Sequence, residues 1–571
     1  MGEQRESADS EKGYKNWKPE LIKSMDILDV DPDLVWQKFG TFGRYQILNL
    51  AMVSAPSLIY SALMMVMPFL TEEVEGFECI VNEEYSQKYT ILDRCTVQNI
   101  ESGQNLTCLE LIGNVTRLDY GKNTQDYTIT TQFNLVCEQS DVRDYGSSAF
   151  LFGAMFGATV LSYFSDKLGR RKSFLLSFSL SVLVNVLTAL SPYHIVFLGL
   201  RFVAGFGMGG NLSIGYILMS EVVAPKMREF TPLLATFFWV FGYMLAGIAR
   251  LYINSWRWIY FTCTASGVIS VLVYFKYFPE SLHWQVSNKK KKAVTLHIQR
   301  ATRINKMQIN VQDCITEPNS EDVSTGTQTE TGVNCCTICS KPKILFLFLL
   351  SAFLMVVMNL TYWALSLFST DLSEHKMTGF FLSGIIEIPS AILAVVLLKL
   401  LQRRTISCVM FVLTALSLAI AVILPGYLDG ESKKAVTLAF PLLAKMFNSI
   451  VWSVLPLAMG EMIPTVIRNS FSGWVCFLGD LGSVVAPFLE HLNIYGANTT
   501  SILIAILTGI CALGVMTMPE TKGKTLGGGL DSFDEGPFLK KISRTFSGKK
   551  LEDAMAKEEP LLNGSSRTEA A

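Results

Sequence analysis

Twelve apolar stretches, each about twenty residues long, constrain this chain more than any other feature. They lie near 44–70, 145–164, 173–191, 195–219, 231–252, 258–278, 343–368, 378–400, 407–425, 435–459, 470–489 and 498–518. Twenty residues of helix span roughly the 30 Å of hydrocarbon in a bilayer. Lipid offers no partner to a bare peptide group, so such segments cross as helices, whose hydrogen bonds are internal. The expected fold is therefore an all-α membrane protein of twelve transmembrane helices. Composition sharpens this: 50% of residues are hydrophobic and 17% charged, and the charges gather between the apolar runs. The net charge of −1 is uninformative about nucleic acid, but the absence of a basic stripe with interleaved aromatics argues against such a partner. Residues 1–40 are polar, with Lys12, Lys15, Lys18, Glu20, Asp26 and Asp29, and hold no apolar core of a cleavable signal peptide. The first span is expected to act as its own insertion signal.

Charge in the loops gives an orientation. Basic residues collect in alternate connections, at Lys167 to Lys172, Lys226 and Arg228, Lys289 to Lys292, Arg403 and Arg404, and Arg468. The positive-inside rule then places both termini in the cytosol. The connection 71–143 falls outside. It carries Cys79, Cys95, Cys108 and Cys137 and the sequons at Asn105 and Asn114, so two disulfides (three pairings being possible) and glycans are expected there. The chain divides into a cytosolic segment 1–42, a first half 43–280 containing that loop, a central cytosolic loop 281–342, a second half 343–518 and a cytosolic tail 519–571. In the central loop, Asn288 to Lys292 predicts an amphipathic surface helix beside anionic lipid, and 315–334 reads as disordered. Cys335, Cys336 and Cys339 have no histidine beside them, so they are read as reduced thiols, with palmitoylation as the alternative, and no metal site is assigned. Gly523-Lys524-Thr525 lacks the earlier glycine of a phosphate-binding loop, position 518 being Met. ATP binding is rejected, no cofactor is expected, and no catalytic constellation points to an enzyme.

The richest motif joins the second and third spans: Asp166-Lys167-Leu168-Gly169-Arg170-Arg171-Lys172, four positive charges in a turn after a glycine-containing helix. A second device recurs in both halves. Glu221 precedes Arg228, and Glu461 precedes Arg468, by seven residues at equivalent helix ends. Such parallel repetition is what two halves related by an axis along the membrane normal produce. The second half keeps paired arginines in Leu401-Gln402-Arg403-Arg404 but has neither the aspartate nor the glycine, so a weaker contact is expected there.

These features resemble the major facilitator superfamily. Further motifs are similar to its organic cation, anion and carnitine transporters: Phe42-Gly43-Arg44-Tyr45-Gln46, Thr131 to Cys137, Trp256-Arg257-Trp258, Pro279-Glu280-Ser281, Glu461 to Asn469, and Pro519-Glu520-Thr521. The resemblance runs from about residue 35 to 527. It implies two six-helix halves, alternating access, a plasma-membrane location and a small organic substrate. Asp166, Gly169, Arg170, Arg171, Glu221, Arg228, Glu461 and Arg468 would form the cytoplasmic contacts of the outward-facing state. One departure is Leu282-His283-Trp284, where the family usually has Pro-Arg-Trp.

Charges inside spans are the candidates for substrate contact, since each costs roughly 2.5–3.5 kcal/mol to insert. They are Arg201, Glu387, Lys445 and Asp480. Asp480 resembles the aspartate of cation-transporting members, whereas anion and carnitine members generally carry arginine at that position. A carboxylate in a low-dielectric cavity attracts an organic cation, and aromatic faces complete the site. Tyr362 and Trp363 match the family's cavity aromatics, with Trp239, Phe241, Tyr243 and Trp452 as further candidates. Glu387 is a second acidic contact, while Arg201 and Lys445 are assigned conformational roles. Met355 and Ser453 stand where cation members have other residues. The reading is a potential-driven, polyspecific organic-cation transporter. Its alternatives are a zwitterion or anion transporter with Asp480 paired to Lys445, or a receptor that has lost transport.

Overall fold

In the computed structural model the described residues are 30–40, 43–72, 77–120, 128–307, 314, 341–373, 375–496, 498–522, 536–538 and 540. The segment 315–334, Cys335, Cys336, Cys339 and Gly523 to Thr525 lie outside them.

Among the described residues, twelve helices are long and apolar enough to cross a membrane. The first half holds Arg44–Leu70, Cys137–Leu168, Arg170–Ala189, His194–Val222, Thr231–Tyr252 and Trp256–Tyr277. The second holds Pro342–Thr370, Lys376–Leu400, Arg403–Tyr427, Gly430–Met462, Ser470–Tyr495 and Thr499–Thr517. They are called spans one to twelve below. Helix continues past the apolar runs, so Glu221 and Glu461 ride on the last turns of spans four and ten. The bundle has a disulfide end, carrying the loop after span one, and a basic end, carrying Arg170 and Arg403.

Close backbone approach organises the interior. A Cβ on Gly157 would lie 1.8 Å from the Phe206 carbonyl oxygen, and one on Gly205 1.9 Å from that of Phe150. Spans two and four therefore touch backbone to backbone, where van der Waals packing substitutes for the hydrophobic effect that lipid cannot supply. Gly242 of span five does the same against Leu58 of span one, at 1.9 Å. Gly482 of span eleven repeats it against Val356 of span seven, at 2.0 Å. The same glycine contact thus recurs at equivalent places in the two halves.

The loop after span one forms a small β domain. β1 (Glu78–Val81) pairs antiparallel with β5 (Thr116–Asp119), and β2 (Tyr89–Ile91), β3 (Thr96–Asn99) and β4 (Asn105–Thr107) form a second sheet. With little apolar area to bury, its core of Phe77, Val97, Leu118, Tyr120 and Val136 is stapled by Cys79–Cys108 and Cys95–Cys137. Of the three pairings the sequence left open, this is the one formed. Asn105 and Asn114 are both exposed.

At the basic end, helices Pro32–Lys38, Leu282–Ser287 and Lys291–Asn305 make a separate cluster. The amphipathic helix expected on lipid is present, but its apolar face is occupied by protein. Val294, Ile298 and Ala301 pack with Val35, Trp36, Tyr45 and Leu282, because these supply a matching apolar surface. Lys289 to Lys292 remain exposed.

Candidate substrate cavity

A cavity of about 320 Å³ lies between the halves. Spans one, two, four and five wall it from one side, and seven, eight, ten and eleven from the other. Its two sides differ chemically. The first half contributes small, hydroxyl and aromatic residues, among them Ser57, Tyr60, Ala154, Ser213, Tyr216 and Trp239, and no charge. The second contributes Tyr362, Trp363 and Trp452 and both lining carboxylates, Glu387 and Asp480.

The aromatics form a continuous wall across the interface. Tyr60 lies 5.3 Å from Trp239 and 6.4 Å from Trp363, ring centre to ring centre. Trp239 and Trp363 are 6.2 Å apart, Trp363 and Tyr362 5.6 Å, and Tyr362 and Trp452 6.5 Å. The indole N–H of Trp452 donates to Asn359 Oδ1 at 3.1 Å, which fixes its plane. Four of the six aromatic candidates, Trp239, Tyr362, Trp363 and Trp452, are brought together here. Phe241 instead faces outward, 62% exposed, and Tyr243 is buried in the seal described below. Tyr60 and Tyr216 were missed. Both sit in helices rich in other apolar residues, and periodicity does not say which face looks into a cavity.

The two carboxylates are in different states. Glu387 Oε1 sits 2.9 Å from Lys445 Nζ and accepts the Tyr362 hydroxyl at 2.9 Å, so it is neutralised in place. Asp480, half-buried on span eleven, has no hydrogen bond or ion pair to a described residue. The pairing of Asp480 with Lys445 entertained from sequence is therefore not formed. Arg201 is fully buried away from either acid. It donates to the carbonyl oxygens of Gly146 (3.1 Å) and Leu63 (3.3 Å) and lies 4.4 Å over the Phe150 ring. It bonds spans one, two and four to each other. No Lys, Arg or His lines the cavity among the described residues.

The motif residues assemble at the basic end, each within its own half. Arg170 pairs with Asp166 and, at 3.6 Å, with Glu221. The Arg171 amide donates to Glu280 Oε1 at 2.8 Å, a carboxylate at a helix N-terminus. Burial raises the Glu280 carboxyl above its ordinary range, while the amides it accepts oppose that rise. Gly169, at φ 104°, makes room: a Cβ there would lie 2.6 Å from Glu280 Oε2. Glu221 and Arg228 do not pair with each other, since Arg228 reaches Asp33 at 2.5 Å. His283, the departure from the family pattern, meets the same Asp33 oxygen at 3.0 Å. The second half builds the same frame from other parts. Arg403 lies 3.4 Å from Glu461, and Glu520 accepts the Arg403 and Arg404 amides at 3.0 and 3.2 Å. Arg468 donates to the Ile463 carbonyl oxygen at 3.2 Å.

Polar contacts between halves are concentrated nearer the disulfide end. Ser148 Oγ donates to the Val484 carbonyl oxygen at 2.9 Å, Lys376 pairs with Glu72, and His491 meets Asp144 at 3.1 Å. Beneath them Phe69 packs on Phe380 (4.7 Å) and Phe380 on Tyr243 (4.4 Å). The cavity is sealed toward that end.

A family model described as Major Facilitator Superfamily matches residues 138–487. The chain belongs to the Major Facilitator Superfamily, whose members are transporters rather than enzymes. Among curated relatives, a putative transporter of Caenorhabditis elegans is 25% identical over 93% of this chain and 88% of its own length. An organic cation transporter-like protein of Drosophila melanogaster is 24% identical over 93% and 96%. The human organic cation/carnitine transporter 2 is 27% identical over 71% of each. Among solved structures, the partially occluded inward-open form of the xylose transporter XylE from E. coli aligns with a TM-score of 0.60. Its identity is 14%, over 85% of this chain and 100% of that one, a likeness of fold.

Proposed function

We propose that this chain carries small monovalent organic cations across the plasma membrane by alternating access. One observation carries the reading: Asp480, a carboxylate with no ion pair to a described residue, faces a cavity walled by aromatic rings and, among the described residues, free of lining cations. At an effective dielectric of about 20, a charge 4 Å away is worth roughly 4 kcal/mol, and the rings add cation–π attraction. The curated relatives that are organic cation transporters support the substrate class. The sealed disulfide end and the positive-inside rule together support a cytosol-facing state, with both termini cytosolic. Movement of a permanent cation is driven by membrane potential, about 2.3 kcal/mol per charge per 100 mV.

The test is uptake of labelled tetraethylammonium by cells expressing the chain, with and without potassium depolarisation. Saturable uptake that falls on depolarisation is expected, and Asp480→Arg should abolish it with surface expression intact. Unchanged uptake in that variant would sink the assignment.

A further inference from the structure

We propose that Lys445 is a positioning residue that ties occupancy of the cavity to the seal between the halves. The proposal rests on the cation-transport reading of that cavity. Lys445 is 1% exposed and does not line the cavity, yet its ammonium touches both sides of the mechanism. Toward the cavity it holds Glu387 Oε1 at 2.9 Å, the same oxygen that accepts the Tyr362 hydroxyl. Away from the cavity it donates to Ser383 Oγ at 2.8 Å and to the Ser383 carbonyl oxygen at 2.9 Å.

Ser383 in turn belongs to the seal. Tyr243, from the opposite half, donates to Ser383 Oγ at 3.2 Å and lies within reach of Ser369 Oγ at 3.1 Å. The Lys445 ammonium also stands 4.8 Å over the Tyr243 ring. Small residues make this junction close-fitting: a Cβ on Gly384 would lie 2.8 Å from Tyr243 Cδ1. A single buried ammonium therefore fastens a cavity carboxylate, through one serine, to a tyrosine of the other half.

A ligand shifts a two-state equilibrium only through interactions that differ between the states. Here the difference has a source. A cation settling beside Glu387 competes with Lys445 for the carboxylate and repels the ammonium. Lys445 then holds Ser383 and Tyr243 less firmly, and the state with the seal open gains relative to the closed one. A buried ion pair that loses a partner leaves an unpaired buried charge, which makes the coupling strong.

The experiment uses the full chain in proteoliposomes with a reporter at Phe381→Cys, whose native ring faces Gly247 across the seal. Labelling by a membrane-impermeant maleimide, above that of the parent chain, is read with and without tetraethylammonium, and binding of the labelled cation is measured in parallel. The cation is expected to raise labelling on the order of threefold. Adding Lys445→Met or Tyr243→Phe should make labelling independent of the cation while binding persists, and Lys445→Arg should restore the response. Tyr243→Phe keeps the ion pair and guards against a misfolded Lys445→Met. A response of parental size in Tyr243→Phe, or binding without any response in the parent, overturns the coupling. Absence of binding overturns the cation reading itself, and the coupling falls with it.

Discussion

The two halves share one frame and fill it differently. Counting back four residues from the paired arginines, Asp166 in the first half corresponds to Lys399 in the second, a reversal of charge. Arg170 thus answers two acids, Asp166 and Glu221, whereas among the described residues the Arg403 side chain answers one, Glu461. The end of span two is closed by Trp284, whose indole donates to the Asp166 carbonyl oxygen at 2.9 Å. The end of span eight is closed by Lys522, which donates to the carbonyl oxygens of Leu398, Lys399 and Leu401. Lys399, freed from the aspartate's role, lies 4.8 Å over Phe230 of the other half. Inside the membrane the division is sharper. The first half presents a neutral wall to the cavity, and the second carries its lining charge. The comparison teaches that pseudo-symmetry here preserves helix-end geometry, while substrate chemistry is concentrated on one side.

If the charge of the second half governs substrate, Asp480→Asn should lower cation uptake roughly 100-fold, as loss of a few kcal/mol implies. Ser213→Asp in the neutral wall should fail to restore it, because the new carboxylate faces the cavity from the opposite half. Uptake assays on surface-normalised cells decide both.

A contrast between a crowded glycine and an open one comes next. Gly157→Ala should abolish surface expression, since its Cβ overlaps the Phe206 carbonyl oxygen, whereas Gly460→Ala on span ten meets nothing within 4 Å and should be neutral. Equal loss in both variants would show that close backbone approach is not what makes Gly157 intolerant of a side chain.

A smaller contrast separates the arginines. Arg170→Ala, which removes two ion pairs, should slow transport more than Arg403→Ala, by a factor of about two to five because the extra partner, Asp166, is largely exposed. Initial rates at saturating cation measure it, and a larger effect at Arg403 would overturn this order.

The smallest effect concerns the helical cluster that the second half lacks among the described residues. His297, buried against Trp36 and bonded to Tyr45 at 2.9 Å, is pushed down to about 4 by burial, and secondarily by Arg300. The unfolded chain binds the proton more readily, so this contribution is complete above about pH 6.5 and is lost as pH falls toward 4. Thermal melts at pH 7.5 and 5 should show a drop that His297→Gln reduces.

Much of the frame was legible in the sequence because a membrane fixes it residue by residue. Each span needs about twenty apolar residues, and that requirement is local. Glu221, Arg228, Glu461 and Arg468 were legible as a repeat, but their partners were not: Arg228 chose Asp33, far earlier in the chain. Asp480 and Glu387 looked alike as acids within spans. Only the fold brought Lys445 to one and left the other facing the aromatic wall.

The sequence by itself determined the twelve crossings, the cysteine-bearing loop and the small inventory of intramembrane charges, because insertion energy is a sum over neighbouring residues. Tertiary structure alone decided which cysteines join, which helix faces line the cavity and which carboxylate pairs with Lys445. Those outcomes depend on distances between residues remote in sequence, and charge pairing in a low dielectric changes steeply over a few ångströms.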